Sequence, residues 1–276
     1  MTERMPETYL FVPANRPDRF EKAMASGADR IILDLEDAVP LDGKDLARSA
    51  LRDANLDWSR VLVRVNPPST PFYVKDLMAI AGTKAAGIMI AKSETAADID
   101  AVHQAIGRSI EVTPLIETAK GIDAIDEILC ASGVTRVALG HLDMALDLGC
   151  STDWDSLVLI RQKLVWRSRL FDKAAPIEGV TSNIDDNQVF EDTLIAKKFG
   201  FGAKLLIHPK QIDPTRRAFA PSVQEVAWAS KVLTALEASK GAAVAVDGKM
   251  VDKPIEDAAR RILMKNQFGV SVLQSK

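Results

Sequence analysis

Two acidic residues follow apolar segments of the chain. Glu117 comes after the apolar residues 113–116, and Asp143 comes after 137–140. If these segments are consecutive strands of a parallel barrel, both carboxylates lie at its carboxyl-end mouth, where such barrels carry their chemistry. Two carboxylates so placed can hold one Mg²⁺, which keeps several water ligands for substrate oxygens to displace. The alternative is that Asp143 caps the next helix and Glu117 forms a salt bridge.

An arginine interrupts another apolar segment. Arg64 lies between Val63 and Val65, and a buried guanidinium is costly unless carboxylates or a substrate anion pair with it. A fixed guanidinium suits a substrate carboxylate or a developing enolate oxygen. The alternative is a structural ion pair with Asp34 or Glu36. Both interpretations can hold together, because an acidic neighbour can orient a catalytic arginine.

Three carboxylates lie within the five residues 33–37. One of them is expected to orient Arg64 or to support a metal ligand without touching the metal. At least one is expected to be only a loop or cap residue. His208 precedes Pro209, a position more typical of a loop hydrogen bond than of a catalyst. The sequence leaves open the roles of five polar residues near strand ends: Glu36, Asp37, Lys92, His141 and His208.

Polar and cationic residues stand at the start of the first two helices, at Asn15, Arg16, Arg19 and Lys44. Cations beside helix N-termini at the open face of a barrel can bind phosphate groups. These four residues are therefore predicted to bind a phosphorylated carrier such as coenzyme A. A solvated, salt-bridged surface is the alternative interpretation.

The elements that must position these residues repeat one pattern: an apolar run, a few polar residues and an amphipathic segment. Apolar runs that alternate with helices indicate a parallel sheet covered by helices. Eight such units predict an α/β fold, a closed (β/α)8 TIM barrel over residues 1–220. An open doubly wound sheet is the alternative, but no G-x-G-x-x-G sequence follows any run. The predicted strands are 9–13, 30–35, 61–65, 87–91, 111–116, 136–139, 176–180 and 204–207, and the predicted helices include 19–25, 43–54, 96–106, 122–131, 154–171 and 188–199.

The character of the chain changes after the eighth unit. Residues 221–240 are predicted to form an amphipathic helix, 241–254 a hairpin or loop, and 255–266 a further helix. An extension of this size is too small to fold alone. The extension 221–276 is therefore expected to pack on the barrel or on a neighbouring subunit.

Composition excludes several classes of function. The 276-residue chain has a formal charge of −3, so no basic excess indicates nucleic acid or a membrane surface as partner. It has no apolar run of the roughly 20 residues that span a bilayer, and no secretory signal is recognisable. Its two cysteines and three histidines are too few for a disulfide framework or a His/Cys metal cluster, so carboxylates would have to hold any metal. A cytoplasmic protein is expected.

These residues resemble those of a known family, the beta subunit of citrate lyase and the CitE-like acyl-CoA lyases of the HpcH/HpaI aldolase superfamily. The resemblance runs through nearly the whole chain in the family's order. The family's fold, a (β/α)8 barrel with a C-terminal extension, agrees with the strand count. The resembling segments are LFVPANRP (10–17), LDLED (33–37), RVN (64–66), LIET (115–118), GHLD (140–143), IHPKQI (207–212) and DGKMVDKP (247–254).

The resemblance implies roles for individual residues. Glu117 and Asp143 would hold Mg²⁺, and Arg64 would stabilise a thioester enolate. Asp252, in the extension, would reach the site of a neighbouring subunit and handle a proton there, so a homo-oligomer is expected, a trimer or a multiple of it. One residue departs from the family pattern: Leu142 stands where relatives commonly carry Glu, and the metal ligand that follows it is intact.

The expected activity is that of a carbon–carbon lyase. With Mg²⁺, it would cleave a 3-hydroxy-acyl thioester of the malyl-, citramalyl- or citryl-CoA type to acetyl-CoA and an oxo acid. Two alternatives stay open: a subunit of a citrate lyase complex that acts only on carrier-bound substrate, and a metal-dependent aldolase that acts on free oxo acids. The choice of oxo acid depends on pocket size, which the sequence does not specify.

Overall fold

The eight apolar runs form a closed parallel barrel in the computed structural model, which describes residues 5–239 and 244–273. Each strand pairs with the next along the chain, and the eighth pairs with the first. The predicted (β/α)8 barrel is thus confirmed, and each strand begins and ends within two residues of its predicted bounds. The strands are β1 (Thr8–Pro13), β2 (Arg30–Asp34), β3 (Val61–Val65), β4 (Gly87–Ile90), β5 (Glu111–Ile116), β6 (Ala138–Leu139), β7 (Ile177–Glu178) and β8 (Ala203–Leu206).

Helices connect and follow these strands. The predicted helix 122–131 is two helices, Ala119–Asp123 and Ile125–Cys130, because the backbone of Ala124 leaves the helical conformation at ψ 9°. Three further helices, Tyr73–Ala81, His141–Leu148 and Ile212–Phe219, add to the predicted set. Among the described residues, no helix has both the length and the apolar character needed to cross a bilayer. The helices are α1 (Phe20–Met24), α2 (Lys44–Asp53), α3 (Tyr73–Ala81), α4 (Ala96–Ile106), α5 (Ala119–Asp123), α6 (Ile125–Cys130), α7 (His141–Leu148), α8 (Val158–Leu170), α9 (Asp186–Phe199) and α10 (Ile212–Phe219).

Apolar side chains of the strands fill the barrel interior, and a larger apolar layer lies between the strands and the helices. Side chains alternate along a strand, so the residue two positions after an interior residue is again interior. Leu62 and Leu115 belong to the interior cluster, and Arg64 and Glu117 follow them by two positions. Both polar side chains therefore point into the carboxyl-end mouth. The buried interior residues are Tyr9, Ile32, Leu62, Met89, Leu115, Ala138, Ile177, Ala203 and Leu205.

The chain divides into two compact units, Pro6–Arg216 and a second one within 217–276. The second unit contains α11 (Val223–Ser239), β9 (Val244–Val246), β10 (Lys249–Val251) and α12 (Lys253–Leu273), and β9 and β10 pair in an antiparallel hairpin. Asp247 and Gly248 join these strands with φ of 50° and 76°, as a tight two-residue hairpin turn requires. Residues 1–4, 240–243 and 274–276, which belong to the predicted domains and to the predicted helix 221–240 and hairpin or loop 241–254, lie outside the described residues.

Candidate active site

Glu117 follows β5 and is buried inside the barrel mouth, with 2% of its surface exposed. Its Oε1 accepts a hydrogen bond from the backbone N–H of Lys92, at 2.7 Å. Gly140, which follows β6, leaves the space that the carboxylate occupies: a Cβ added there would lie 2.2 Å from Oε2. The φ of Gly140 is −97°, which any residue can adopt, so a glycine is needed here for space.

Asp143 lies in the first turn of α7, directly after β6. The Lys92 ammonium is 3.0 Å from its Oδ1, 3.5 Å from Glu36 Oε1 and 3.9 Å from Glu117 Oε1. Asp143 is not the N-cap of α7, because that position is Gly140, where no side-chain cap hydrogen bond is present. The structure thus brings the two predicted metal ligands together around one lysine, and Glu36 joins them there.

Arg64 is held from three sides. Its Nε and Nη2 donate to the two carboxylate oxygens of Asp34, at 2.8 and 2.6 Å, and its Nη1 lies 2.9 Å from Glu36 Oε2. The ring of Phe11 packs against the guanidinium, 4.6 Å from Cζ to the ring centre. A guanidinium has five N–H groups, and hydrogen bonds to Asp34 engage two of them, while Glu36 contributes an ion pair. The ion pairs considered from the sequence and a substrate-facing role are therefore compatible.

The electrostatics of the mouth favour a bound cation. Burial raises the pKa of Glu117 to about 8, and the nearby carboxylates of Glu36 and Asp143 add to this, whereas Lys92 and Arg64 partly offset it. Burial likewise raises the pKa of Glu36. Carboxylate oxygens are the donors that Mg²⁺ prefers. In the part of the chain that the structure describes, no group of three or more His, Cys, Asp or Glu is arranged to hold a metal ion. Two carboxylates would leave the other positions of an octahedral Mg²⁺ to water and substrate.

A cavity of about 1020 Å³ opens from these residues. Asp34, Arg64, Glu117 and Asp143 line it, together with apolar strand residues. Arg19, Lys22 and Lys210 supply positive charge to the same cavity. The sequence reasoning missed Lys22 and Lys210. Lys22 lies three residues after Arg19, so that both side chains share one helical face, and this spacing is the signal that could have found it.

The four residues predicted to bind a phosphorylated carrier lie in different surroundings. Arg19 lines the cavity, Asn15 is partly buried, and Arg16 is exposed and pairs with Asp18. The geometry argues against the predicted role of Lys44, which is 4% exposed. Its ammonium donates to the carbonyls of residues 35 and 36 and to the side chain of residue 66, at 2.7 to 2.8 Å. With all three donors engaged by protein, Lys44 has none for a phosphate.

The residues whose roles the sequence left open are also placed. His141 lines the cavity, and burial lowers its pKa to about 4, so the imidazole is neutral near pH 7. His208 lines the cavity too, and its Nδ1 accepts from the backbone N–H of Lys210, which is the loop hydrogen bond expected of it. Asp37 lines the cavity. Asp252 belongs to the second compact unit, where it is exposed and caps α12 by accepting from the backbone N–H of Ile255 at 3.2 Å.

Comparisons of the sequence and of the structure with known proteins identify relatives over most of the chain. Residues 7–209 match the family described as HpcH/HpaI aldolase/citrate lyase. A citrate lyase subunit beta-like protein of Mycobacterium tuberculosis is 36% identical over 270 residues, covering 93% of this chain and 94% of that protein. An L-malyl-CoA/beta-methylmalyl-CoA lyase of Cereibacter sphaeroides is 33% identical, covering 88% and 89%. The crystal structure of CitE from M. tuberculosis with magnesium, acetoacetate and coenzyme A is similar at a TM-score of 0.85 and 34% identity, covering 95% and 98%.

The family match spans all eight strands and therefore the whole barrel mouth with Arg64, Glu117 and Asp143. The two relatives and the solved structure extend the similarity over most of the chain, at identities above 30%. The chain belongs to the HpcH/HpaI aldolase/citrate lyase family.

Proposed function

We propose that this protein is a magnesium-dependent carbon–carbon lyase. Its substrate is a 3-hydroxy-acyl thioester of the malyl-, citramalyl- or citryl-CoA type, which it cleaves to acetyl-CoA and an oxo acid. The observation that carries the proposal is the pair of acidic side chains, Glu117 and Asp143, beside a fixed guanidinium in one cavity. Family relatives named as malyl-CoA lyase and as citrate lyase beta-like support the reaction class.

Glu117 and Asp143 would hold Mg²⁺, and the related CitE structure contains magnesium. When bound, the metal polarises the hydroxyl and carboxylate oxygens of the substrate and favours loss of the hydroxyl proton. Gly140 supports this assignment because it leaves room for the Glu117 carboxylate. Both ligands are ionised in the metal-bound form, so the raised pKa of Glu117 makes metal and proton compete for one group.

Arg64 stabilises the negative charge that develops on the thioester oxygen. As the carbon–carbon bond breaks, its electron pair passes to the thioester carbonyl and forms an enolate. The guanidinium is already held by Asp34, Glu36 and Phe11, so it does not reorient during the reaction. Fixed charges of this kind contribute more than mobile ones, because they pay no reorganisation cost in the transition state.

Arg19, Arg16 and Asn15 are proposed to bind the phosphate groups of coenzyme A, with Lys22 and Lys210 added from the cavity wall. The related CitE complex contains coenzyme A. Asp252 of a neighbouring subunit is proposed to deliver a proton to the enolate carbon. This role requires a homo-oligomer, and a cytoplasmic trimer, or a multiple of it, with the extension 221–276 packed on a neighbour is the assembly proposed.

The deciding experiment measures acetyl-CoA release by the purified protein from malyl-, citramalyl- and citryl-CoA, with Mg²⁺ and with EDTA. Cleavage of one ester that stops with EDTA is the expected result, and it identifies reaction class and substrate together. Cleavage that persists in EDTA contradicts the metal assignment. If no ester is cleaved, the same assay with free oxo-acid aldols and with acyl-carrier-protein thioesters separates the two alternative functions.

A further inference from the structure

Lys92, which follows β4, contacts three acidic side chains at the proposed metal site. Its ammonium lies 3.0 Å from Asp143, 3.5 Å from Glu36 and 3.9 Å from Glu117. No step of the proposed reaction uses it. The side chain is 32% exposed and makes no other ion pair in the described residues, so its ammonium can move toward solvent when another cation takes its place.

The backbone of Lys92 is directed at the same cluster. Its φ is 47°, in the left-handed region that side-chain-bearing residues rarely adopt. In this conformation its N–H donates to Glu117 Oε1 at 2.7 Å. The main chain therefore fixes one metal ligand, while the side chain bridges the other acidic residues. A lysine kept in a strained conformation at this point indicates that the position itself is important.

The charge balance of the site favours a bound divalent cation. When all groups of the cluster are ionised, its four carboxylates exceed its two cations by two negative charges. The groups are Asp34, Glu36, Glu117, Asp143, Arg64 and Lys92. The guanidinium is tied by two hydrogen bonds to Asp34 and is stacked on Phe11, so it is the fixed cation. Of the two cations, Lys92 is therefore the one that a metal ion can displace.

We propose that Lys92 is a positioning residue that serves as an internal counter-cation. It keeps Glu36, Glu117 and Asp143 together in the metal-free protein and gives up this place when a divalent cation binds. The inference rests on the proposed metal site and adds to it a competitor for that site that belongs to the protein itself. If Lys92 had only a structural role, its removal would weaken metal binding. If it competes with the metal, its removal strengthens metal binding.

The Lys92 ammonium and a bound Mg²⁺ would repel each other, so the ammonium must move away for the metal to enter the site. Replacing it by an uncharged side chain of similar length, Lys92→Met, removes this repulsion and keeps the backbone N–H to Glu117. We expect the dissociation constant for Mg²⁺ to fall at least about tenfold, since a monovalent and a divalent cation a few ångströms apart repel by that much even at the dielectric of water. Lys92→Arg keeps the charge and is expected to bind Mg²⁺ like the wild type.

The experiment titrates full-length protein without substrate, with Mg²⁺ by calorimetry and with Mn²⁺ by electron paramagnetic resonance. Lys120→Met is the matched control, because it removes one lysine charge from an exposed position, 82% exposed, on α5. Thermal unfolding with EDTA checks that each variant is folded, and Lys92→Gln is a second neutral variant if Lys92→Met is not. Tighter binding by the neutral variant alone supports the proposal.

Unchanged or weaker binding by a folded neutral variant overturns it. Failure of the proposed function looks different: the wild type would then bind no divalent cation, and Glu117→Gln would change nothing. A third outcome separates the two proposals. If the wild type binds Mg²⁺, Glu117→Gln does not, and Lys92→Met binds it no more tightly than the wild type, the metal site is correct and only the role of Lys92 is wrong.

Discussion

Asp34 and Arg64 are direct register neighbours on β2 and β3, and their side chains form a two-point ion pair in the barrel mouth. The oxygens of Asp34 also accept from the backbone N–H groups of Glu36 and Ala38. One aspartate thus fixes both the guanidinium and the start of the acidic loop. The register of these two strands therefore sets the direction of the charge that the proposed reaction needs.

Replacing Asp34 by Asn should reduce turnover much more than substrate affinity. The amide cannot accept both guanidinium hydrogen bonds, so Arg64 loses its fixed orientation toward the enolate. We expect kcat to fall about 10- to 100-fold with a small change in KM, because the affected interaction acts mainly in the transition state. Steady-state kinetics on the cleaved ester measures both.

Asp18→Asn is the matched control for Asp34→Asn. It breaks an arginine–aspartate pair of the same geometry whose two side chains are 46% and 58% exposed. We expect little effect on stability from this exposed pair, against a loss of about 1–3 kcal/mol for the buried Asp34 pair. Equal effects of the two variants on unfolding free energy would contradict the burial argument.

Magnesium binding should weaken as the pH falls below about 8. The pKa of Glu117 is raised to about 8 without metal, chiefly by burial. Only the carboxylate binds the metal, so a proton must leave for each ion bound at lower pH. The apparent dissociation constant should therefore rise about tenfold per pH unit below about 8 and level off above it. Calorimetry in buffers of different ionisation enthalpy counts the released proton, and a constant affinity from pH 6 to 9 would exclude this linkage.

A methyl group at Gly140 should damage the metal site. The added Cβ would lie 2.2 Å from Glu117 Oε2 and 2.7 Å from Glu117 Cβ, so the carboxylate must move. We expect Gly140→Ala to weaken Mg²⁺ binding at least tenfold and to cost about 1–3 kcal/mol of stability, as overpacking does. Gly82→Ala is the control, since a Cβ there meets nothing within 4 Å and φ is −80°. If both variants bind Mg²⁺ as well as the wild type does, the requirement for free space at position 140 is refuted.

Lys44 and Arg19 should behave in opposite ways. Lys44→Met removes three buried hydrogen bonds and leaves the side-chain oxygen of Asn66 without a donor, so we expect a loss of about 1–3 kcal/mol in unfolding free energy and little change in KM. Arg19→Met should be nearly neutral for stability but raise KM for the coenzyme A ester about three- to tenfold. Denaturant unfolding and kinetics separate the two, with Lys75→Met, an exposed lysine on α3, as the stability control.

The sequence predicts the barrel because eight apolar runs alternate with helical segments. It singles out Arg64 and Glu117 because a charged side chain that interrupts or directly follows such a run is unusual. Lys44 could not be assigned correctly, since its burial depends on how the first turn of α2 packs against the carbonyls after β2. The roles of Gly140 and Lys92 depend on ångström-scale distances and one left-handed φ, which no residue pattern encodes.

The proposed role of Asp252 can be tested by mixing two inactive variants. Asp252→Asn lacks the proton donor and Glu117→Gln lacks a metal ligand, so each alone should lose at least about 99% of activity. If the aspartate acts in the site of a neighbouring subunit, random mixed oligomers regain sites that have both groups intact, up to about a quarter of all sites. Co-expression with two affinity tags isolates such oligomers for assay. A mixture that stays as inactive as its components would place Asp252 in its own subunit's site or remove it from catalysis, and mixing Asp252→Asn with the wild type gives the upper reference.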